Sequence, residues 1–148
     1  MNNDNELLRA FIGKNYEKII FKKFNIWGFL FNVFYVFYRK MIWIGTLIIF
    51  IISVVATITN NTSTLAYAIV NGTVFIVISI ILGIYINIIY IDYAKNTIAK
   101  IKVANPDKST EELKNICTNI GGTSVIDIFH GILILLIINF LLGIIIAL

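Results

Sequence analysis

The chain has 148 residues, of which 59% are hydrophobic and 14% are charged, with a net charge of +4 and one cysteine. Globular proteins usually carry about 25% charged residues, and a soluble domain of this length buries only about 70% of its unfolded surface. The composition therefore excludes a disordered chain, a coiled coil and a disulfide scaffold, and it predicts an integral membrane protein.

Residues 6–24 form the first predicted element, a basic amphipathic helix. Apolar residues recur there at helical spacing, and Lys14, Lys18 and Lys22 form a separate stripe. Such helices lie in the membrane interface, where each cation near an anionic surface adds about 1 kcal/mol of attraction. We therefore predict that these lysines bind anionic lipid headgroups. A helix that packs on the ends of the membrane spans would have the same pattern.

Residues 25–40 form an aromatic segment. The apolar stretch 25–38 has 14 residues, and as a helix it would reach about 21 Å, less than the roughly 30 Å of a bilayer core. Crossing would also move Arg39 and Lys40 away from the other cations. The sequence therefore predicts a short interfacial or re-entrant segment in which Arg39 and Lys40 anchor at lipid headgroups, with a fourth span as the alternative.

Three longer apolar stretches follow, at 41–58, 66–91 and 125–148. Between Lys40 and Asp92 there are 51 residues without a formal charge, and about 20 suffice for one helical span. The runs are continuously apolar and do not alternate, which favours helices over β-barrel strands. The predicted fold is a single membrane domain, 1–148, that is all-α, with three transmembrane helices after the amphipathic helix and the aromatic segment.

The segment 92–124 is predicted to be a helical loop. The helical face of the second span continues to about Val103, Ser109 and Glu112 have the spacing of a capping box, and Gly121 suits the residue that follows a helix end. Seven Lys and Arg residues precede the first span and five lie in this loop. The positive-inside rule then places the N-terminus and 92–124 in the cytoplasm and the C-terminus outside.

Polar residues within the spans are the candidates for packing or transport. Ser79, Gly83 and Asn87 repeat every four residues in the second span, and Asn139 lies deep in the third. Small and polar residues at such spacing mediate close helix packing. The alternative is a polar path, which three helices could enclose only as an oligomer.

Asp127 and His130 are weak candidates for a proton relay, because they lie three residues apart on one helix face. A carboxylate in the first turn of a helix is also favoured by the helix dipole, and this capping interpretation is preferred. The sequence has no Cys/His spacing suited to a metal, no phosphate-binding glycine loop and no paired carboxylates. We expect no catalytic residues, no metal and no cofactor.

Several segments together resemble the bacterial family catalogued as domain of unknown function 2628. They are the run Phe11-Ile12-Gly13-Lys14-Asn15, the motif Tyr38-Arg39-Lys40-Met41, and Gly121-Gly122-Thr123-Ser124 before a last apolar helix. The resemblance extends from about residue 7 to residue 140. It implies a small multi-pass protein of the bacterial cytoplasmic (inner) membrane, and it implies no activity, because the family has none established.

The sequence therefore predicts a structural, accessory or regulatory membrane component that is not an enzyme. Its expected partners are anionic lipids and either another membrane protein or further copies of itself. Nucleic acid is not expected, because the cations flank the spans and membrane orientation explains them. Two alternatives are an oligomeric small-solute transporter or channel, with Asn71, Ser79, Asn87 and Asn139 along its path, and a membrane protein that confers immunity to a toxin.

Overall fold

The computed structural model describes residues 3–147, and every regular element in that range is a helix. The α-helices are α1 (Asn3–Ile12), α2 (Tyr16–Phe21), α3 (Ile26–Phe31), α4 (Val33–Tyr38), α5 (Ile42–Thr59), α6 (Thr64–Ala104), α7 (Thr110–Ile120) and α8 (Ile126–Ala147). Leu148 is the last residue of the third predicted span and lies outside the described residues. The prediction for the C-terminus therefore also falls on a residue that the structure does not describe.

Three of these helices are long and apolar enough to cross a membrane: α5, α6 and α8, with mean hydropathies of 2.5, 2.7 and 2.7. They correspond to the predicted spans 41–58, 66–91 and 125–148, and the all-helical class with three helices of spanning length is confirmed. Helix α6 has 41 residues and does not stop at residue 91, because residues 92–105 contain no glycine or proline and the first proline is Pro106.

The three long helices pack around α5, which contacts both α6 and α8. Their outer faces expose large apolar side chains: Trp43 is 87% exposed on α5 and Phe140 is 69% exposed on α8. Contiguous exposed apolar surface on this scale is unfavourable in water and is typical of lipid-facing helices.

The aromatic segment forms a helical hairpin, which we define as α3 and α4 with Asn32 between them. The backbone N–H of Asn25, just before α3, donates to the carbonyl of Gly83 on α6, whereas the side-chain amide of Asn32 donates to the carbonyl of Phe75. Lys40, just after α4, is again level with Tyr93 of α6. The chain thus runs along α6 and returns, so both ends of the segment lie at the same end of α6, a path that a fourth span would not follow.

The far end of α6 packs with α1 and α7, and we call this part of the core the end bundle. Leu7, Leu8, Phe11 and Ile12 of α1 pack there with Ala94, Ile98 and Ile101 of α6 and with Leu113 and Cys117 of α7. Two ion pairs join its helices, Lys102 with Asp4 at 2.8 Å and Lys114 with Glu6. Ser109 and Glu112 form the predicted capping box at the start of α7.

The predicted continuous helix over 6–24 differs from the structure. Gly13 has a φ of 72°, which breaks the helix, and a short 3-10 turn over Gly13–Asn15 separates α1 from α2, which ends at Phe21. The apolar face of α1 is covered by α6 and α7 of the same chain. The amphipathic pattern therefore serves protein packing along α1.

A glycine fits closely between α7 and α1. The backbone N–H of Gly122 donates to the carbonyl of Phe11 at 2.7 Å. A Cβ on Gly121 would lie 2.1 Å from the same oxygen. Gly121 itself has a φ of −80°, and the positive φ of 77° occurs at Gly122. The glycine at 121 is thus required for close approach, and it does not adopt the left-handed conformation expected of a residue following a helix end.

Candidate functional site

The structure brings Ser79, Gly83 and Asn87 together along the face of α6 that contacts the hairpin. A Cβ on Gly83 would lie 3.1 Å from Cβ of Phe29, and one on Gly28 would lie 3.0 Å from the carbonyl oxygen of Leu82. The two glycines therefore let the backbones of α3 and α6 approach closely.

Two asparagines of the aromatic segment form hydrogen bonds with the polar residues of this face. Nδ2 of Asn25 donates to Oδ1 of Asn87 at 2.7 Å, and Nδ2 of Asn87 donates to the carbonyl of Lys22 at 2.9 Å. At the tip of the hairpin, Nδ2 of Asn32 donates to Oγ of Ser79 at 2.8 Å. Asn32 has a φ of 49°, a conformation that costs about 1–3 kcal/mol and persists because the surrounding structure holds it.

The other polar residues of the spans lie in separate contacts. Nδ2 of Asn139 on α8 donates to Oγ of Ser53 on α5 at 3.1 Å, and Nδ2 of Asn71 donates to Oγ1 of Thr59 at 2.9 Å, near the turn between α5 and α6. Asn71 and Asn139 are therefore not brought together with Ser79 and Asn87. One protomer does not gather the four residues of the predicted path.

Arg39 is buried, with 4% of its surface exposed. Its Nε and Nη2 donate to the hydroxyl of Tyr35 at 3.0 and 2.8 Å, and its guanidinium lies 5.0 Å from the centre of the Tyr90 ring. Nη1 has no hydrogen-bond partner among residues 3–147. Within the same range no carboxylate pairs with this cation. The guanidinium therefore retains an unneutralised charge and an unused donor.

Lys40 adopts a φ of 61°, which turns the chain from α4 into α5. Its Nζ donates to the carbonyls of Asn119 and Ile120, both at 3.2 Å, at the C-terminal end of α7. A cation is favourable at that end of a helix dipole. Lys40 thus joins the hairpin to the end bundle, a contact that the prediction of headgroup anchoring did not include.

A cavity of about 690 Å³ lies beside the hairpin, between α2, the hairpin and the first turns of α8. Its lining has a polar part, Asn15, Lys18, Lys22, Asn25, Tyr35, Tyr38, Arg39 and Asn87, and an apolar part, Ile19, Phe24, Ile26, Trp27, Phe31, Phe34, Ile128 and Ile132. Among residues 3–147, three cations and no carboxylate line it. The volume falls within the range of about 300–1,000 Å³ that is usual for ligand pockets.

The three lysines of the predicted headgroup stripe differ in position. Lys18 and Lys22 are exposed and line the cavity. Lys14 is exposed in the 3-10 turn and is not part of the lining. The structure therefore groups Lys18 and Lys22 with Arg39, and it separates Lys14 and Lys40 from them.

Asp127 and His130 are in contact, with Nδ1 of His130 lying 3.0 Å from Oδ1 of Asp127. The backbone N–H of Asp127 donates to Oγ of Ser124, which caps the start of α8. Just over half of the His130 side chain is exposed and 15% of the Asp127 side chain is. This geometry agrees with the capping interpretation. A proton could pass between Asp127 and His130, but among the described hydrogen bonds no third side chain continues the path from either residue.

Cys117 is fully buried in the end bundle, and burial raises the pKa of its thiol. Residues 3–147 contain no group of three His, Cys, Asp or Glu side chains placed to hold a metal ion.

Sequence reasoning missed the residues that the hairpin contributes to this site, Asn25, Asn32 and Tyr35. The spacing of polar residues and glycines in the aromatic segment and in α6 could have indicated this contact. Along antiparallel segments, Asn25, Gly28 and Asn32 lie opposite Asn87, Gly83 and Ser79 of α6, so that an amide faces an amide, a glycine faces a glycine and an amide faces a hydroxyl.

Comparisons with family models, with curated proteins and with solved structures find no match for this chain. The resemblance to the bacterial family of unknown function 2628 therefore stays a prediction.

Proposed function

We propose that the chain is a non-enzymatic accessory protein of the bacterial cytoplasmic membrane. It spans the membrane three times, through α5, α6 and α8, with its N-terminus and the end bundle in the cytoplasm and its C-terminus outside. It acts by binding another membrane component, and the surface of the end bundle is its cytoplasmic contact region.

In this placement the hairpin is re-entrant. Its base lies level with Asn87 and its tip level with Phe75 and Ser79, which is about 12–18 Å along α6 at 1.5 Å per residue. The tip thus reaches the middle of the apolar part of α6. Non-helical backbone is tolerated at membrane depth where protein buries it, and Asn32 is 2% exposed.

The proposal depends mainly on the hydrogen bonds that the polar residues within the spans make to neighbouring segments of the same chain. Asn87, Ser79, Asn71 and Asn139 each hydrogen-bond to a neighbouring segment, in four separate contacts. Polar groups that pair between helices stabilise packing, and they leave little to line a route for a solute. This supports a binding role over transport.

Two experiments test the proposal. Purified protein in liposomes is expected to give the same efflux of ions and small dyes as empty liposomes, and solute-selective flux would overturn it in favour of a channel or transporter. Cysteine labelling in a Cys117→Ala background tests the orientation. Asn61→Cys, in the turn between α5 and α6, should react with an impermeant maleimide added to whole cells, and Asn115→Cys on α7 should react only after lysis.

A partner can be sought from the end bundle. A photo-crosslinking residue at Val103, which is 83% exposed, is expected to capture one defined membrane protein in cells, and the same residue at Leu113, which is buried, serves as the control. A crosslink that joins two copies of this chain would identify a homo-oligomer.

A further inference from the structure

We infer that the cavity beside the hairpin holds one anionic phospholipid. Its phosphate lies among Arg39, Lys18 and Lys22, and one acyl chain follows the apolar lining toward the hairpin tip. The inference rests on the proposed membrane placement and adds a defined ligand to it.

The charge of Arg39 requires a partner. Burying an unpaired cation is strongly unfavourable, and Arg39 has no carboxylate partner among residues 3–147. Cation–π contacts with Tyr35 and Tyr90 offset part of this cost. An arginine fork binds phosphate oxygens with paired hydrogen bonds, so a phosphate would provide the missing countercharge.

Hydrogen-bond donors outnumber acceptors around the guanidinium of Arg39. The hydroxyl of Tyr35 lies within reach of three N–H donors, two from Arg39 and one from Asn25 at 3.1 Å. Nη1 of Arg39 has no acceptor in the described part of the chain. A site with many donors and few acceptors is suited to an anion.

The lining of the cavity is divided into a polar part and an apolar part. The cations and asparagines lie toward the base of the hairpin, and Phe31 and Phe34 flank Asn32 at its tip. Trp27 and Phe31 are more than half exposed, so the apolar part opens onto the surface that faces lipid in the proposed placement. A phospholipid has the same division between a phosphate and a hydrocarbon chain, whereas a soluble phosphate would leave the apolar part unfilled.

The test uses quenching of Trp27 by brominated lipids. The chain has two tryptophans, and Trp43→Phe leaves Trp27, which lines the cavity, as the reporter. This variant is reconstituted into phosphatidylcholine vesicles that contain increasing fractions of brominated phosphatidylglycerol or brominated phosphatidylcholine. We expect the anionic lipid to quench at an apparent affinity about tenfold or more higher than the zwitterionic lipid, a ratio typical of charged hydrogen bonds. Equal quenching by the two lipids would overturn the inference.

Two variants test which cations cause the preference for the anionic lipid. Arg39→Gln keeps a polar side chain and should bring the affinity ratio close to one. Lys18→Gln with Lys22→Gln changes exposed residues and should lower the ratio even if Arg39→Gln does not fold. The control is Lys95→Gln, an exposed cation of α6 outside the cavity, which should leave the ratio unchanged. A loss in Lys95→Gln equal to that in the lysine pair would mean general surface attraction and would overturn the inference.

Two further measurements separate the alternatives. Inorganic phosphate or glycerol phosphate at millimolar concentration should not reduce the lipid preference, and competition by either would assign the cavity to a soluble anion. Extraction with alkaline carbonate tests membrane insertion independently. Release of the protein would contradict the proposed function, whereas retained protein without a lipid preference would contradict this inference alone.

Discussion

The side-chain amide of Asn32 donates a hydrogen bond to the hydroxyl of Ser79 at 2.8 Å, across 47 residues of sequence. The same amide lies 3.3 Å from the carbonyl of Phe75. These contacts join the tip of the hairpin, where the backbone leaves helical geometry, to the middle of α6. They are made in a region that would otherwise be entirely apolar.

Removing this contact should loosen the hairpin. We expect Ser79→Ala to lower the free energy of unfolding in detergent by about 0.5–1.5 kcal/mol, because a buried donor loses one acceptor. The double variant with Asn32→Ala should show a coupling of about 0.6 kcal/mol, as is common for polar pairs between membrane helices. Titration with sodium dodecyl sulfate measures both values. Thr73→Ala, at an exposed position of α6, is the control, and strictly additive effects would contradict the contact.

Close packing around the Phe37 ring should make the stability of the protein sensitive to substitutions in two different helices. Its ring is fully buried, and a Cβ on Gly45 of α5 or on Gly131 of α8 would lie 2.6 Å from it. Gly131→Ala is therefore expected to destabilise the protein by about 1–3 kcal/mol through overpacking. Phe37→Leu in the same chain should restore part of that loss.

The control for this prediction is Gly143→Ala on the same helix, where a Cβ would meet nothing within 4 Å. It should be neutral or slightly stabilising, because alanine favours helix more than glycine. An equal loss in both variants, measured by thermal unfolding in detergent, would show that Phe37 is not the cause.

The ion pair between Glu6 and Lys114 should make the end bundle sensitive to acid. Hydrogen bonding and the charge of Lys114 lower the pKa of the Glu6 carboxyl below its usual value. The pair therefore contributes stability above the ordinary carboxyl pKa, and the contribution is lost as pH falls through the lowered value. Glu6→Gln should speed hydrogen exchange of α1 at pH 7, and the difference from wild type should disappear at acidic pH.

Asp107→Asn is the control for the acid dependence, because Asp107 forms no ion pair within the described range. Its exchange difference should stay near zero at both pH values. A pH-independent effect of Glu6→Gln would show that packing, and not the ion pair, holds α1 on α7.

Cys117 should react slowly with alkylating reagents. Its side chain is fully buried, and burial raises the pKa of the thiol, so the reactive thiolate is scarce at neutral pH. At pH 7.5 we expect it to be alkylated at least about tenfold more slowly than Thr118→Cys in a Cys117→Ala background, because that position is exposed. Mass spectrometry of the labelled protein measures both rates. Similar rates would mean that α7 opens readily from α1.

The long helices could be predicted because continuous apolar runs of sufficient length have few other solutions. The capping box of α7 could also be predicted, since it depends on two residues three apart. In contrast, the break at Asn32 depends on partners far along the chain. An aromatic stretch at the membrane surface and one inserted as a hairpin have the same composition.

The burial of Arg39 also depends on a residue far along the chain and could not be predicted from the local sequence. A cation next to a span suggests a residue in contact with headgroups, and the pattern of charges alone supports that interpretation. Its burial arises from Tyr35 four residues earlier and from Tyr90 on α6, which surround the guanidinium. Lys40 has the same local sequence context but a different environment, because the C-terminal end of α7 happens to lie beside it.

The long-range contacts of the hairpin also determine an order of events during synthesis. Asn32 leaves the ribosome 47 residues before Ser79, and Asn25 leaves it 62 residues before Asn87. Until α6 follows, Nδ2 of Asn32 lacks its acceptors on Phe75 and Ser79, and Asn25 lacks its contact with Asn87. Water is then the most favourable partner for these polar groups. We therefore expect the hairpin to dock after α6 is made, and α8, which follows α6 in the chain, then completes the enclosure of Phe37.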